Sequence, residues 1–88
     1  MLNSLPISEA SNLAIHALAV INNLGAGKRL SVAQISTVLE VSQSHLAKVM
    51  QKLVKAGFVD SSRGANGGFI LARSAKSLSL FSVVKVID

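Results

Sequence analysis

The sequence predicts a mainly helical α+β domain: three helices, a two-stranded antiparallel hairpin and a closing helix. Three observations predict it. Apolar residues recur at helical spacing in successive stretches, each opened by a serine able to cap it. The second and third stretches are separated by only Glu40-Val41-Ser42, a tight turn with an apolar residue at its centre. After Gly57 the period changes from 3.6 to 2, and two β-type runs flank a glycine-rich loop. The order α-α-α-β-β is that of a winged helix-turn-helix. At 88 residues, 1–88 are expected to form one small domain.

Pro6 disfavours helix at Leu5. Ser8 is the expected N-cap of a first helix running to Leu24, with Glu9 favourably placed for the helix dipole. Its apolar residues form no single stripe. Leu13, Ala17, Val20 and Leu24 make one face, Ala14, Leu18 and Ile21 lie beside it, and Ile15 widens the surface. Burial on more than one side follows. Gly25-Ala26-Gly27 ends this helix. Ser31 and Gln34 form a capping box for a short second helix, Val32–Leu39, with Leu30 stapled to Ile35 and a buried face of Ala33, Ile35, Val38 and Leu39.

The third helix, SQSHLAKVMQKLVKAG, has two functions written on two faces. Ser42 caps it, Val41 can staple against Leu46, and Gly57 stops it. Leu46, Val49, Met50 and Leu53, at i, i+3, i+4 and i+7, are a core face. Lys48, Lys52 and Lys55, at i, i+4 and i+7, are a cationic one. Gln43, Ser44 and His45 in the first turn carry side chains that can hydrogen-bond to base edges from a DNA major groove. Taken alone, a lysine face is more often simply solvated.

Phe58–Arg63 reads as a strand, Gly64–Gly68 as a loop and Phe69–Arg73 as the returning strand. Asn66-Gly67 is a strong signal for a type I′ hairpin turn. Arg63 and Arg73 flank this basic, glycine-rich wing. Its glycines, Gly64 among them, let the backbone approach phosphates closely, and Arg63 can reach a narrow minor groove. In the tail, Ser79 is an expected N-cap, Leu78 staples to Val83, and Leu80, Val83, Val84 and Ile87 repeat the helical pattern.

Charge supports a polyanionic partner. The eight basic residues between Lys28 and Lys76 face only Glu40 and Asp60, a local +6 against +5 for the whole chain. With three Phe and no Trp or Tyr, there is no set of rings on which single-stranded bases would stack. No cysteine is present, so disulfides, thiolate nucleophiles and cysteine-held zinc or iron–sulfur groups have no ligands in this chain. Glu9, Glu40, Asp60 and Asp88 are scattered, His16 sits among apolar residues, and His45 has no carboxylate at triad or ligand spacing. No catalytic centre, metal site or cofactor is expected. The apolar run Leu13–Ile21 is interrupted by His16 and is far short of the ~20 residues that span a membrane. With no signal peptide in view, the expected location is cytoplasmic, without a membrane partner.

The residues SVAQISTVLEVSQSHLAKVMQKLVKAGFVDSSRGANGGFILAR closely resemble the winged helix-turn-helix of the IscR/NsrR-type, or "Rrf-two", bacterial regulators. The most specific part is Leu53, Gly57, Val59, Arg63-Gly64, Gly67-Gly68-Phe69 and Leu71, and the likeness spans about Leu5 to Asp88. It implies a homodimeric, sequence-specific binder of double-stranded DNA acting mainly as a repressor. Ser31, Ser42, Gln43, Ser44, His45, Lys48, Lys52, Lys55, Arg63, Gly64 and Asn66 are the expected DNA contacts. The family's wing commonly reads Arg-Gly-Pro-Gly-Gly-Gly-Tyr, where this chain has Ala65, Asn66 and Phe69. Many members carry a cysteine cluster and then a long dimerisation helix, neither found in this sequence. Asn12 stands where some members place an acidic ligand. The competing reading is a winged-helix protein-interaction module that does not bind DNA, which the fold alone cannot separate from a DNA reader.

Overall fold

Each helix begins where a serine hydroxyl takes an otherwise unpartnered amide. The computed structural model describes residues 8–24, 27–64, 67–72 and 79–88, apart from the side chains of Leu80 and Phe81. Ser8 Oγ accepts from Ser11 N at 3.1 Å, opening α1 (Glu9–Leu24). Ser31 Oγ accepts from Gln34 N at 3.0 Å while Gln34 Oε1 accepts from Ser31 N at 2.8 Å. This is the expected capping box of α2 (Val32–Leu39). Ser42 Oγ accepts from His45 N at 3.1 Å and opens α3 (Gln43–Lys55). Ser79 and Ser82 form a further capping box at α4 (Leu80–Ile87), one that a Ser-x-x-Glu/Gln pattern does not flag. Such caps contribute about 1 kcal/mol each.

The ends of α2 and α3 use one geometry with different residues. At α3, Gly57 (φ 82°) donates to Val54 O and Phe58 N donates to Leu53 O, both at 3.0 Å. Leu53 and Phe58, which such an ending brings together, are both buried. At α2 the left-handed position falls to Glu40 (φ 57°, ψ 48°), and Val41 N reaches back to Ser36 O at 3.1 Å. A residue with a Cβ is strained there by roughly 1–2 kcal/mol. Glu40→Gly is therefore expected to raise stability by about 0.5–1 kcal/mol after the glycine's larger unfolded-state entropy is counted, readable as a higher urea midpoint. A lower midpoint would show that the Glu40 side chain supports the turn.

α1 packs against α2, α3, α4 and the second hairpin strand. Its buried set is Ser11, Leu13, Ala14, Ala17, Leu18 and Ile21. The fully covered Ala14 and Ala17 let neighbouring elements approach closely. The face expected through Val20 and Leu24 does not hold to its end, since Leu24 is 56% exposed. On α2 the buried face is Ile35 and Ser36, whereas Ala33 and Val38 are exposed. Ser36 tolerates burial because its hydroxyl donates to Ala33 O at 2.9 Å. Apolar periodicity passes over such a residue. Leu46, Val49, Met50 and Leu53 are buried as expected, and Leu30 and Val41, the staple residues, are partly buried against the core.

The hairpin pairs β1 (Val59–Ser62) with β2 (Gly68–Leu71) antiparallel, from Val59↔Leu71 to Ser62↔Gly68. Five residues lie between the strands. Within that span Gly64 carries a positive φ (101°), whereas the expected Asn66-Gly67 turn includes a residue outside the described ones. Residues expected as loop and strand exchange places at both ends: Gly68 pairs, whereas Phe58 belongs to the ending of α3. An isolated bridge joins Leu30 to the second strand. Leu30 N donates to Phe69 O at 3.0 Å and Phe69 N to Leu30 O at 2.8 Å. Pro6, Ala65, Asn66, Arg73, Lys76 and the Leu78 half of the tail staple lie outside the described residues.

Candidate nucleic-acid interface

An α-helix turns once every 3.6 residues, and burial of Leu46, Val49, Met50 and Leu53 fixes the rotation of α3. The stripe opposite this core face is Ser44, Lys48, Gln51 and Lys55, all exposed. Gln43 and His45, also exposed, flank it on either side. Gln51 completes the stripe at i+7 from Ser44 and i+3 from Lys48. A reading focused on cations passes over it, although the spacing alone identifies it.

Lys52, exposed like Lys48 and Lys55, also has a partner within the chain. Its Nζ donates to Ile87 O at 3.3 Å, so its charge sits at the carboxyl end of α4, where a helix dipole favours a cation. Asp88 lies beside it. The Asp88 carboxylate accepts from Ser8 Oγ at 2.6 Å, and that hydrogen bond, with Lys52 as a smaller contributor, holds its pKa below the ordinary carboxylate value. These contacts tie the start of α1 and the end of α4 to α3. A carboxylate with a lowered pKa adds stability above the unfolded-state pKa and loses it as pH falls through the folded value. Asp88→Asn is thus expected to flatten the acid limb of thermal stability below pH ~4 relative to the native chain. Melting curves that stay parallel across that range would show that the contact contributes nothing.

The wing is braced to the helices by backbone acceptors. Arg29 Nη1 donates to Asp60 O and Gly68 O, both at 3.3 Å, one on each strand. With the Leu30–Phe69 bridge, these bonds fix the wing root against the start of α2. Arg63 and Gly64, at the outer end of β1, are exposed. Between α3 and β1 runs a groove of about 380 Å³ lined by Gln51, Val54, Lys55, Ser61, Ser62, Arg63 and Phe69. On the other side of the wing a hollow of about 750 Å³ is lined by Gly27, Lys28, Arg29, Ser31, Gln34, Gly64 and Gly67. Ser31 and Ser42 use their oxygens as cap acceptors, and each hydroxyl proton is left to donate outward. Among the described residues no group of acids, histidines or cysteines could hold a metal ion. No described helix is long and apolar enough to cross a membrane.

The arrangement is a helix with a cationic, hydrogen-bonding outer face beside a hairpin that carries Arg63. A family profile described as Rrf2, iron-dependent transcriptional regulator, matches residues 7–88. The chain belongs to the Rrf2 family. Solved structures share its winged-helix fold. "T. potens IscR" is 26% identical, superposes with a TM-score of 0.87 and covers 100% of this chain. CymR, described as the global cysteine regulator of B. subtilis, is 23% identical at a TM-score of 0.90 over 96% of this chain. The oxidized form of Staphylococcus aureus CymR is 21% identical at 0.85, again over 96%. The chain spans 64% of the IscR structure, 65% of the B. subtilis one and 68% of the S. aureus one. The family and fold are those of transcription regulators.

Proposed function

We propose that this chain binds double-stranded DNA sequence-specifically and regulates transcription, as a repressor that blocks access to its site. α3 enters the major groove with Ser44 and Lys48 toward base edges, Gln43 and His45 alongside, and the wing carries Arg63 to the neighbouring minor groove or phosphates. One observation carries this reading: Gln51 and Lys55, which continue the exposed stripe of Ser44 and Lys48 on α3, line one groove with the wing's Arg63. Lys28, Ser31 and Gly64, which line one hollow, would meet the backbone at the wing root, and Asn66 is a further proposed contact. Lys52, whose Nζ also donates to Ile87 O, and Lys55 would meet the backbone further along the helix. The protein acts in the bacterial cytoplasm as a homodimer, since two-fold symmetric readers meet two half-sites about one helical turn apart. Exposed Leu24 and Val86 are available to such an interface.

Selection from a random duplex pool tests this. The expected outcome is an enriched inverted repeat with half-site centres ~10 base pairs apart, and sedimentation showing at least a weak dimer. A pool returned without enrichment would contradict sequence-specific binding and favour the protein-interaction module.

A further inference from the structure

We infer that the groove between the carboxyl ends of α3 and α4 docks an acidic peptide segment of a partner protein, held by one apolar side chain. The groove, of about 340 Å³, is lined by Lys52, Lys55, Ala56 and Val86. Val86 is 39% exposed, although Val83 and Ile87 on the same helix are buried. Ala56, at the end of α3, is half-buried. The two lysines share the groove with this apolar surface. Their charge is not matched inside the molecule. Among the described residues Lys55 makes neither an ion pair nor a hydrogen bond, and Lys52 bonds the neutral Ile87 O. Asp88, the acid that senses Lys52, already accepts from Ser8 Oγ. The helix-end carbonyls, which would repel an anion, are also engaged: Lys52 O by Ala56 N, Leu53 O by Phe58 N, Val54 O by Gly57 N and Val84 O by Asp88 N.

Apolar surface framed by uncompensated cations is complementary to an apolar side chain framed by carboxylates. A simple anion would use the lysines and leave Val86 bare. A wholly apolar segment would cover the ammonium groups without pairing them, at a desolvation cost. A second copy fits worse, because a two-fold contact brings Lys52 and Lys55 of both copies together, which favours Leu24 over Val86 for the dimer contact. Lys55 also lines the groove that holds Arg63, so it is the ridge between the two grooves. A docked acidic segment therefore occupies a charge otherwise available to a DNA phosphate, and peptide and duplex exclude one another. Only this exclusion rests on the DNA-binding reading above.

The test titrates the protein with a short synthetic peptide in which a leucine is flanked by glutamates. The readouts are the methyl resonances of Val86 and Ala56 and the anisotropy of a labelled peptide. Saturable shifts at both methyls are expected. Lys55→Glu and Val86→Ser change the surface, and their melting temperatures report that they are folded. Each should weaken the peptide about tenfold, as should serine in place of the peptide's leucine. Lys48→Glu, outside the groove, should weaken it much less, and excess duplex should displace it. No shift at either methyl, or an affinity indifferent to the leucine or to Val86→Ser, would overturn the docking site. Self-association abolished by Val86→Ser, without peptide binding, would assign the groove to a second copy and overturn it as well. Peptide and duplex bound together would overturn the exclusion. Absence of binding to any duplex would overturn the DNA reading while leaving the docking site standing.

Discussion

Gly68→Ala is expected to cost about 3 kcal/mol or more and to lower the melting temperature by ~15 °C. Two separate effects add. Gly68 sits at φ 137°, a conformation strained by about 1–3 kcal/mol for any residue with a side chain. A Cβ there would also stand 2.6 Å from Leu30 C and O and 3.0 Å from Ser31 N. These are backbone atoms that cannot swing aside, and they hold both the bridge to Phe69 and the cap of α2. The change thus pries the wing from the helices. A domain of this size has only about 5–13 kcal/mol in hand. Gly64→Ala is the control: its φ is also positive (101°), yet a Cβ there meets nothing within 4 Å, so only the strain remains. Thermal or urea unfolding of the two variants checks this. Equal losses would show that the contact with Leu30 is not what Gly68 protects.

Ser44→Ala and Lys48→Ala are expected to change which bases are preferred, each losing ~1–3 kcal/mol of discrimination where a bidentate base contact is removed. Both residues lie on the outer stripe of α3 near its N-terminal end, the part of a recognition helix that meets base edges. Lys55, two turns further along, is expected to contribute affinity without information. Lys55→Ala should weaken every sequence alike, and Arg63→Ala should lose affinity with at most the preference for A·T-rich flanks altered. Selection from a random duplex pool with each variant separates the two classes. A motif rewritten by Lys55→Ala and untouched by Ser44→Ala and Lys48→Ala would place α3 differently in the groove.

The elements that the sequence makes legible are those whose signals are local. Ser31 with Gln34, Ser42 and Gly57 mark helix ends through bonds made within a few residues, and α2 spans the expected Val32–Leu39. The core face of α3 follows from spacing alone. What stays hidden depends on partners distant in sequence and on acceptors that every residue possesses. Arg29 and Lys52 both donate to backbone carbonyls, 31 to 39 residues away in sequence, and a carbonyl leaves no mark in the residue pattern. The bridge of Leu30 to Phe69 is hidden for the same reason. The register of the wing is hidden likewise, since it is set by the pairing of β1 with β2 and by the fit of Gly68 against Leu30. On the candidate site, periodicity places Ser44 and Lys48 on the outer face, but the bond of Lys52 to the end of α4 has no mark in the pattern.

A salt titration of duplex binding tests the central claim most directly. If Lys55 and Arg63 grip phosphates while Ser44 and Lys48 read bases, log affinity should fall linearly with log salt, with a slope of about −0.9 for each phosphate neutralised. Lys55→Ala should make that slope shallower by about one unit. Binding that does not respond to salt, or no binding to any duplex at low salt, would contradict a DNA-binding face on this domain.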